Sequence, residues 1–588
     1  MNDRRARRSG LGRLLSRLVG GAILLVLAAC ASTPPAGPVP VFDVLIRGGT
    51  VYDGSGGPGV RADVGLNGDR VAAVGRLDDA VAPLVLDAAG LAVAPGFINV
   101  LSWANVTLLH DGRGMSDLMQ GVTLEIFGEG ESGGPLNEAM KAELLRQQGD
   151  IRYEIEWTTL GEYLETLERR GISPNVASFV GATTVRMYVL GEQDRRPDAA
   201  ELDRMQELVR EAMREGALGV GSSLIYAPAF FADTAELVAL ASAAAEFGGG
   251  YVSHIRNESA GLEQALDEFI GITRAAGLHG EVYHLKAAGE ANWPKMRWAV
   301  ERIAAARAEG LAVTANMYTY TAGATGLDAA MPIWVQQGGL DAWIARLQDP
   351  VLRRRVIEDM RNPPDGEENL FRTAGSPDRV KLVGFRNERL KPLTGMTLAE
   401  VMASRGTSAE DTIIDLVIED RSRVETVYFL MSEQNVRLGL AQPWVSLGSD
   451  AAALAPEGVF LRRSTHPRAY GNFARLLGKY VREEGLLPLE EAIRRLTRLP
   501  AENWHLTGRG CLDPGCYADV VVFDPEAVED RATFDDPQQY ATGVRDLLVN
   551  GVPVLRDGMH TGARPGRVVR GPGWRAPGSA PGDPQAHR

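Results

Sequence analysis

Residues 249–259 read GGYVSHIRNES, and residues 280–290 read GEVYHLKAAGE. Both are short apolar runs that break into polar residues, and each break is marked by a histidine, His254 and His284. A short apolar run bounded in this way suits a strand buried on both faces. The same format recurs at 122–127, 175–180, 218–222, 313–318 and 445–447. Helical sequence intervenes; residues 198–215 place Leu202, Met205, Leu208, Val209 and Met213 on one face. Alternating strands and helices imply a parallel sheet, and their number predicts an α/β fold built on a (β/α)8 TIM barrel over residues 98–495. That span exceeds the ~250 residues of a typical barrel. The excess is expected near 330–443, where charged helical sequence dominates.

Outside the barrel, residues 42–47, 50–53, 64–66 and 70–74 read as short β segments, with Asn67-Gly68 as a tight hairpin turn. β-rich sequence returns at 519–523 and 546–554 with a second hairpin, Asn550-Gly551. A small composite β-sandwich built from both chain ends, residues 41–97 and 496–570, is therefore expected. Residues 30–40 are a Pro-rich tether, and the Gly/Pro-rich residues 571–588 are expected to form a disordered tail.

At 588 residues the chain exceeds what one hydrophobic core usually supports. Its first thirty residues carry Arg4, Arg5, Arg7, Arg8, Arg13 and Arg17 ahead of an apolar run and Cys30. The pattern reads as an export signal over residues 1–29. Leu27-Ala28-Ala29-Cys30 resembles the bacterial lipobox, which implies lipidation of Cys30 and an envelope lipoprotein facing the periplasm or the outside. A plain secretory signal or an uncleaved anchor is the alternative. With no second long apolar segment, membrane contact is expected through the lipid anchor only. The whole chain carries −14 and residues 1–30 carry +5, leaving −19 on the remainder. Such a balance argues against a nucleic-acid partner. Apart from Cys30 only Cys511 and Cys516 remain, and pairing or two free thiols are both open. Nothing in the sequence sets an oligomeric state.

Barrel chemistry sits where strands end. Four such ends carry polar groups that strand packing does not need: Glu129 and Glu131, His254 and Arg256, His284 and Lys286, and Asp450. Two imidazoles and one or two carboxylates make a three-ligand zinc site with a position left for water. Mn, Co and Fe suit the same donors. Asp450 nearby would serve as the base. Singly, each residue has a plainer reading, as a hydrogen-bonded strand-end His, a solvated loop Glu or a surface Lys.

The combination is more specific. APGFIN (94–99), QGVTLEIFGEGE (120–131), GVGSSLIYAP (219–228), YVSHIRNES (251–259), YHLKAAGEANW (283–293), LGSD (447–450), STHPRAYGNFARLLGKYVRE (464–483) and YADVVVFDP (517–525) together resemble the N-acyl-D-amino-acid deacylases (D-aminoacylases) of the amidohydrolase superfamily. The resemblance runs from Phe42 to about Val569. It implies that His254 and His284 hold the essential metal, that Asp450 is the catalytic aspartate and that Lys286 takes a substrate carboxylate; Arg256, at the end of a neighbouring strand, is expected to assist Lys286. It also marks His466 as a substrate-loop residue, and Tyr226 is a candidate for the pocket wall.

The chain departs from that pattern in residues 94–105, APGFINVLSWAN. There the family's first strand ends His-x-His, and here Leu101, Ser102 and Trp103 stand. The family's ligand cysteine aligns with Gly130, flanked by Glu129 and Glu131. Glu129 is taken as the ligand because it follows the strand directly after Gly128, with Glu131 in reserve. A mononuclear amidohydrolase acting on N-acyl-D-amino acids or similar small N-acyl compounds is expected. The alternatives are a D-dipeptidase, a cyclic amide or lactone hydrolase, or a non-catalytic barrel that binds a metabolite or a partner protein.

Overall fold

The apolar runs form strands without one exposed position. In chain order they are β1 (Phe97–Asn99), β2 (Val122–Phe127), β3 (Asn175–Ser178, resuming at Val180–Gly181), β4 (Gly219–Ser223), β5 (Gly250–His254), β6 (Gly280–Val282), β7 (Val313–Met317) and β8 (Val445–Leu447). They belong to a computed structural model that describes residues 40–576. The expected export signal, the tether up to residue 39, Cys30 and residues 577–588 lie outside the described residues.

Each strand pairs in parallel with the next. The circle closes where the Val100 N–H reaches the Leu447 carbonyl (3.4 Å) and Ser102 bridges Ala451 in parallel. All the strand ends that carry reactive residues therefore open onto one face. The helices pack outside. Ala199–Arg214 begins at a capping box between Asp198 and Glu201, and buries Met205, Leu208, Val209, Ala212 and Met213.

Polar side chains also enter the barrel interior. Glu281 on β6 accepts from Asn316 (2.8 Å) and Thr314 (3.1 Å) on β7, and burial pushes its carboxyl up to about 7. The folded chain thus keeps a proton that the unfolded chain, titrating at its ordinary 4.5, has already lost. Stability falls as pH rises across that window and is lowest above it. Glu281→Gln is expected to remove roughly 3 kcal/mol of this pH dependence, read from denaturant unfolding at pH 5 and pH 8. Equal pH dependence in parent and variant would disprove the assignment.

The β domain does come from both ends, and hydrogen bonding joins its strands into one continuous nine-stranded sheet. Ala92–Pro95 pairs antiparallel with Val520–Phe523, joining the early strands to the late ones. Val44, Ile46, Val64, Leu66, Val93, Val520, Val522 and Leu548 put alternate side chains into one core. Both hairpins form, and Asn550 (φ 50°) and Gly551 (φ 80°) adopt the left-handed pair that a tight hairpin needs.

Two expectations need correction. The insertion begins at Ala322 rather than near 330 and is not purely helical. It carries the antiparallel strands Ala322–Gly326, Val380–Gly384 and Glu425–Phe429 beneath its helices. Gly323 and Gly326 interrupt the first of these strands, so it lacks an apolar run. The tail does not start free at 571 either. The Gly571 N–H bonds to the Gly216 carbonyl (2.8 Å), and the Arg570 guanidinium lies 5.3 Å above the Trp574 ring. Cys511 and Cys516 are joined in a disulfide. Among the described residues no helix is long and apolar enough to cross a membrane.

Candidate active site

The strand ends converge as the barrel requires. Glu129 leaves β2 through Gly128 (φ 105°), where a Cβ would lie 2.4 Å from the Phe179 carbonyl oxygen, so only glycine fits that turn. His254 is the last residue of β5. His284 and Asp450 follow β6 and β8, and both are left-handed (φ 36° and 48°). Non-glycine residues in that region are uncommon and cluster at functional sites. Hydrogen bonds hold these conformations: the His284 N–H donates to Asn316 (2.8 Å) and the Asp450 N–H to the Leu101 carbonyl (2.9 Å).

Glu129 Oε1 faces both imidazoles, at 2.9 Å from His284 Nε2 and 3.3 Å from His254 Nδ1. Burial alone would raise the Glu129 carboxyl, but the two imidazoles hold it well below its ordinary value. On the other side of His284, Nδ1 lies 3.0 Å from Glu258 Oε1 and 2.7 Å from Lys286 Nζ. Lys286 donates to the same Glu258 oxygen (2.6 Å). Burial and Lys286 press the His284 pKa down, yet Glu258 and Glu129 bring it up to about 9. That proton belongs to the metal-free site, since a cation replaces it on binding.

Asp450 sits across from Glu129, with the Trp103 indole N–H between them, 3.0 Å from Glu129 Oε2 and 3.1 Å from Asp450 Oδ1. Burial raises the Asp450 pKa and the Glu129 charge adds to it, while Arg468 works against both. Arg468 places Nη1 2.8 Å from Asp450 Oδ2, and its buried Nε has no hydrogen-bond partner among the described residues.

The other expected residues divide. Glu131 is exposed on the cavity wall and is not in the converging cluster. Tyr226 lines the cavity, edge-on to His254 (5.5 Å between ring centres), with its hydroxyl 2.8 Å from Thr325 Oγ1. His466 also lines the cavity but spends both nitrogens on structure. Nε2 bonds the Ala322 carbonyl and Nδ1 accepts the Arg468 N–H, both at 2.9 Å. Burial keeps its pKa well below the ordinary value, so it is a neutral brace for the Arg468 loop. Arg256 is a correction. Its guanidinium turns away from the cavity to Glu268 and to the carbonyls of Phe230 and Ala232, so it cannot reach a substrate. Sequence reading also missed Glu258, Arg468 and Arg423. Arg423 lies on the cavity wall, paired with Asp328 (2.8 Å) and 4.6 Å above the Tyr226 ring.

The amidohydrolase family model matches residues 84–555. The chain belongs to the amidohydrolase family. A D-aminoacylase of Alcaligenes xylosoxydans xylosoxydans is 34% identical over 534 residues, covering 90% of this chain and 97% of its own. The N-acyl-D-glutamate deacylase of Bordetella bronchiseptica, solved with zinc and a phosphonate that mimics the tetrahedral intermediate, superposes with a TM-score of 0.74 at 31% identity. That superposition covers 90% of this chain and 99% of the deacylase. A D-aminoacylase with a binuclear metal centre, for which one-metal activation and second-metal attenuation are described, also gives 0.74, at 33% identity, with coverage of 90% and 100%. This amidohydrolase therefore sits among the D-aminoacylases and shares their barrel.

A divalent metal fits its site. Donor atoms of Glu129, His254 and His284 all lie within 4.8 Å of one another, as a three-donor site requires. His254 turns Nδ1 and His284 turns Nε2 to the same Glu129 oxygen, at 3.3 and 2.9 Å, so two imidazole nitrogens and a carboxylate address one point. His254, Glu258 and Glu368 also come within 4.8 Å, but Lys286 already occupies Glu258. Cys511 and Cys516 near Asp513 are disulfide-bonded and offer no thiolate.

Proposed function

We propose that this amidohydrolase cleaves the amide of N-acyl-D-amino acids with a single zinc ion held by Glu129, His254 and His284. Its main support is the placement of Asp450, with a raised pKa, beside that three-donor cluster and on the wall of a cavity of about 710 Å³. When bound, the cation supplies Lewis acidity that polarises the scissile carbonyl and makes water a better nucleophile at neutral pH. The rest falls to the chain. Asp450 accepts the proton of the attacking water as its oxygen bonds to the carbonyl carbon. As the C–N bond breaks, Asp450 returns that proton to the departing amine. Lys286 and Glu258 fix His284 from behind. Arg468, with its free Nε, and Lys286 supply positive charge for the substrate carboxylate.

The cavity wall also carries the apolar side chains Met140, Leu144, Met187, Leu340 and Trp343. The cavity volume suits a drug-sized ligand more than a small acetylated amino acid. Acyl groups longer than acetyl are therefore expected to be preferred. The basic start, the apolar run and Cys30 favour a lipid-anchored protein of the bacterial envelope, in contact with the membrane only through that anchor. The test is turnover of N-acyl-D-amino acids of increasing acyl length, their L-isomers, D-dipeptides and lactones, using chain recovered from the membrane fraction of a bacterial host. D-selective release of the free amino acid, rising with acyl length, is expected. Faster turnover of dipeptides or lactones would replace the substrate reading, and full recovery in the soluble fraction would remove the anchor.

A further inference from the structure

We propose that Trp103 stands where a second cation would otherwise sit, and that its indole N–H positions the general base against the metal ligand. The inference rests on the roles just given to Asp450 and Glu129. Two carboxylates face each other there in a largely buried site, Glu129 through Oε2 and Asp450 through Oδ1. Like charges so placed repel strongly unless something positive lies between them. A metal ion is one solution, and a fixed N–H dipole is another. The single indole N–H points at both oxygens, 3.0 and 3.1 Å away.

The surroundings leave no room for the first solution. An indole nitrogen donates only and has no lone pair to offer a metal. Leu101 is 1% exposed, packed in an apolar cluster with Ile98, Val100 and Leu124, and so tight against β8 that a Cβ on Gly448 would lie 2.5 Å from its own. Ser102 turns back to accept the Ala104 N–H (3.1 Å). None of Leu101, Ser102 and Trp103, which follow β1, can serve as a ligand. The oxygens of Glu129 are divided in consequence, Oε1 toward the imidazoles and Oε2 to the indole.

The site is thus built for one metal, and excess zinc has no place from which to slow it. Trp103 acts on turnover by holding the Asp450 carboxylate in register, not by touching the reacting bond.

Zinc titration of the intact chain, with bound metal counted by mass spectrometry and turnover followed in parallel, tests both halves. Binding is expected to level at about one zinc per chain, with no loss of rate as zinc is raised further. A plateau near two would overturn the exclusion. In the double variant Leu101→His/Trp103→His the plateau is expected to rise toward two and excess zinc to become inhibitory. A plateau still at one would show that Trp103 is not what excludes the second ion. Trp103→Phe keeps the ring and removes the N–H. It is expected to retain its zinc and to lose on the order of 10- to 100-fold in kcat, with KM little changed. Parental kcat in Trp103→Phe would refute the positioning role. Metal counting needs no substrate, so a chain that holds one zinc but cleaves no N-acyl-D-amino acid overturns the functional reading and leaves the exclusion standing.

Discussion

Asp450→Asn is expected to lower kcat on the order of 10²–10⁴-fold, the range associated with a positioned general acid–base group, with bound metal unchanged. The substitution is nearly isosteric. Its Oδ1 can still accept the Trp103 N–H, which the native carboxylate does at 3.1 Å, so the geometry of the pocket survives. The capacity to take a proton from water and return it to the amine is lost. Metal content should stay constant because Asp450 lies outside the converging donors Glu129, His254 and His284. Steady-state kinetics beside metal analysis reads both quantities. An unchanged kcat would remove Asp450 from the mechanism. Lost metal would make it a ligand instead.

Glu129→Ala is expected to empty the site of metal and abolish turnover together. A supporting hydrogen bond behind a ligand is worth about 10–100-fold in metal affinity, and loss of the ligand itself should cost more. The two imidazoles would also lose the carboxylate oxygen that they share at 2.9 and 3.3 Å, leaving a buried cluster without its central anion. His254→Ala should behave in the same way, since its Nδ1 faces the same Glu129 oxygen at 3.3 Å. Metal counts on purified variants decide it. Full retention in Glu129→Ala would transfer the third donor to Glu131, two residues on.

The residues that could be found from sequence sit where barrel geometry puts reactive groups, and the family resemblance supplied their roles. His254, His284, Lys286 and Asp450 all sit at or just beyond a strand end, and a periodic reading locates strand ends. Those that escaped depend on loops folding over. Glu258 looks like any loop carboxylate until its loop returns to Lys286, and Arg468 becomes meaningful only beside Asp450. Arg256 failed for the same reason in reverse. Two residues past β5 the chain has already turned, and the helix Leu262–Ala276 offers Glu268 as a nearer partner. Trp103 read as a missing ligand because its partner Asp450 lies 347 positions away. The single outer sheet was blurred by the same distance, since the pairing of Val93 with Val522 leaves no local trace.

That outer sheet also governs how the molecule can be made. A ribosome delivers Ala92–Pro95 early, but the strand that covers its flank, Val520–Phe523, emerges only after every barrel strand. Throughout synthesis the nascent chain carries an open β edge of apolar residues, the kind of surface that recruits a neighbouring polypeptide. The clasp shuts only after the whole barrel has been laid down between its halves. A chain cut short before residue 520 would expose that edge permanently, however complete its catalytic residues.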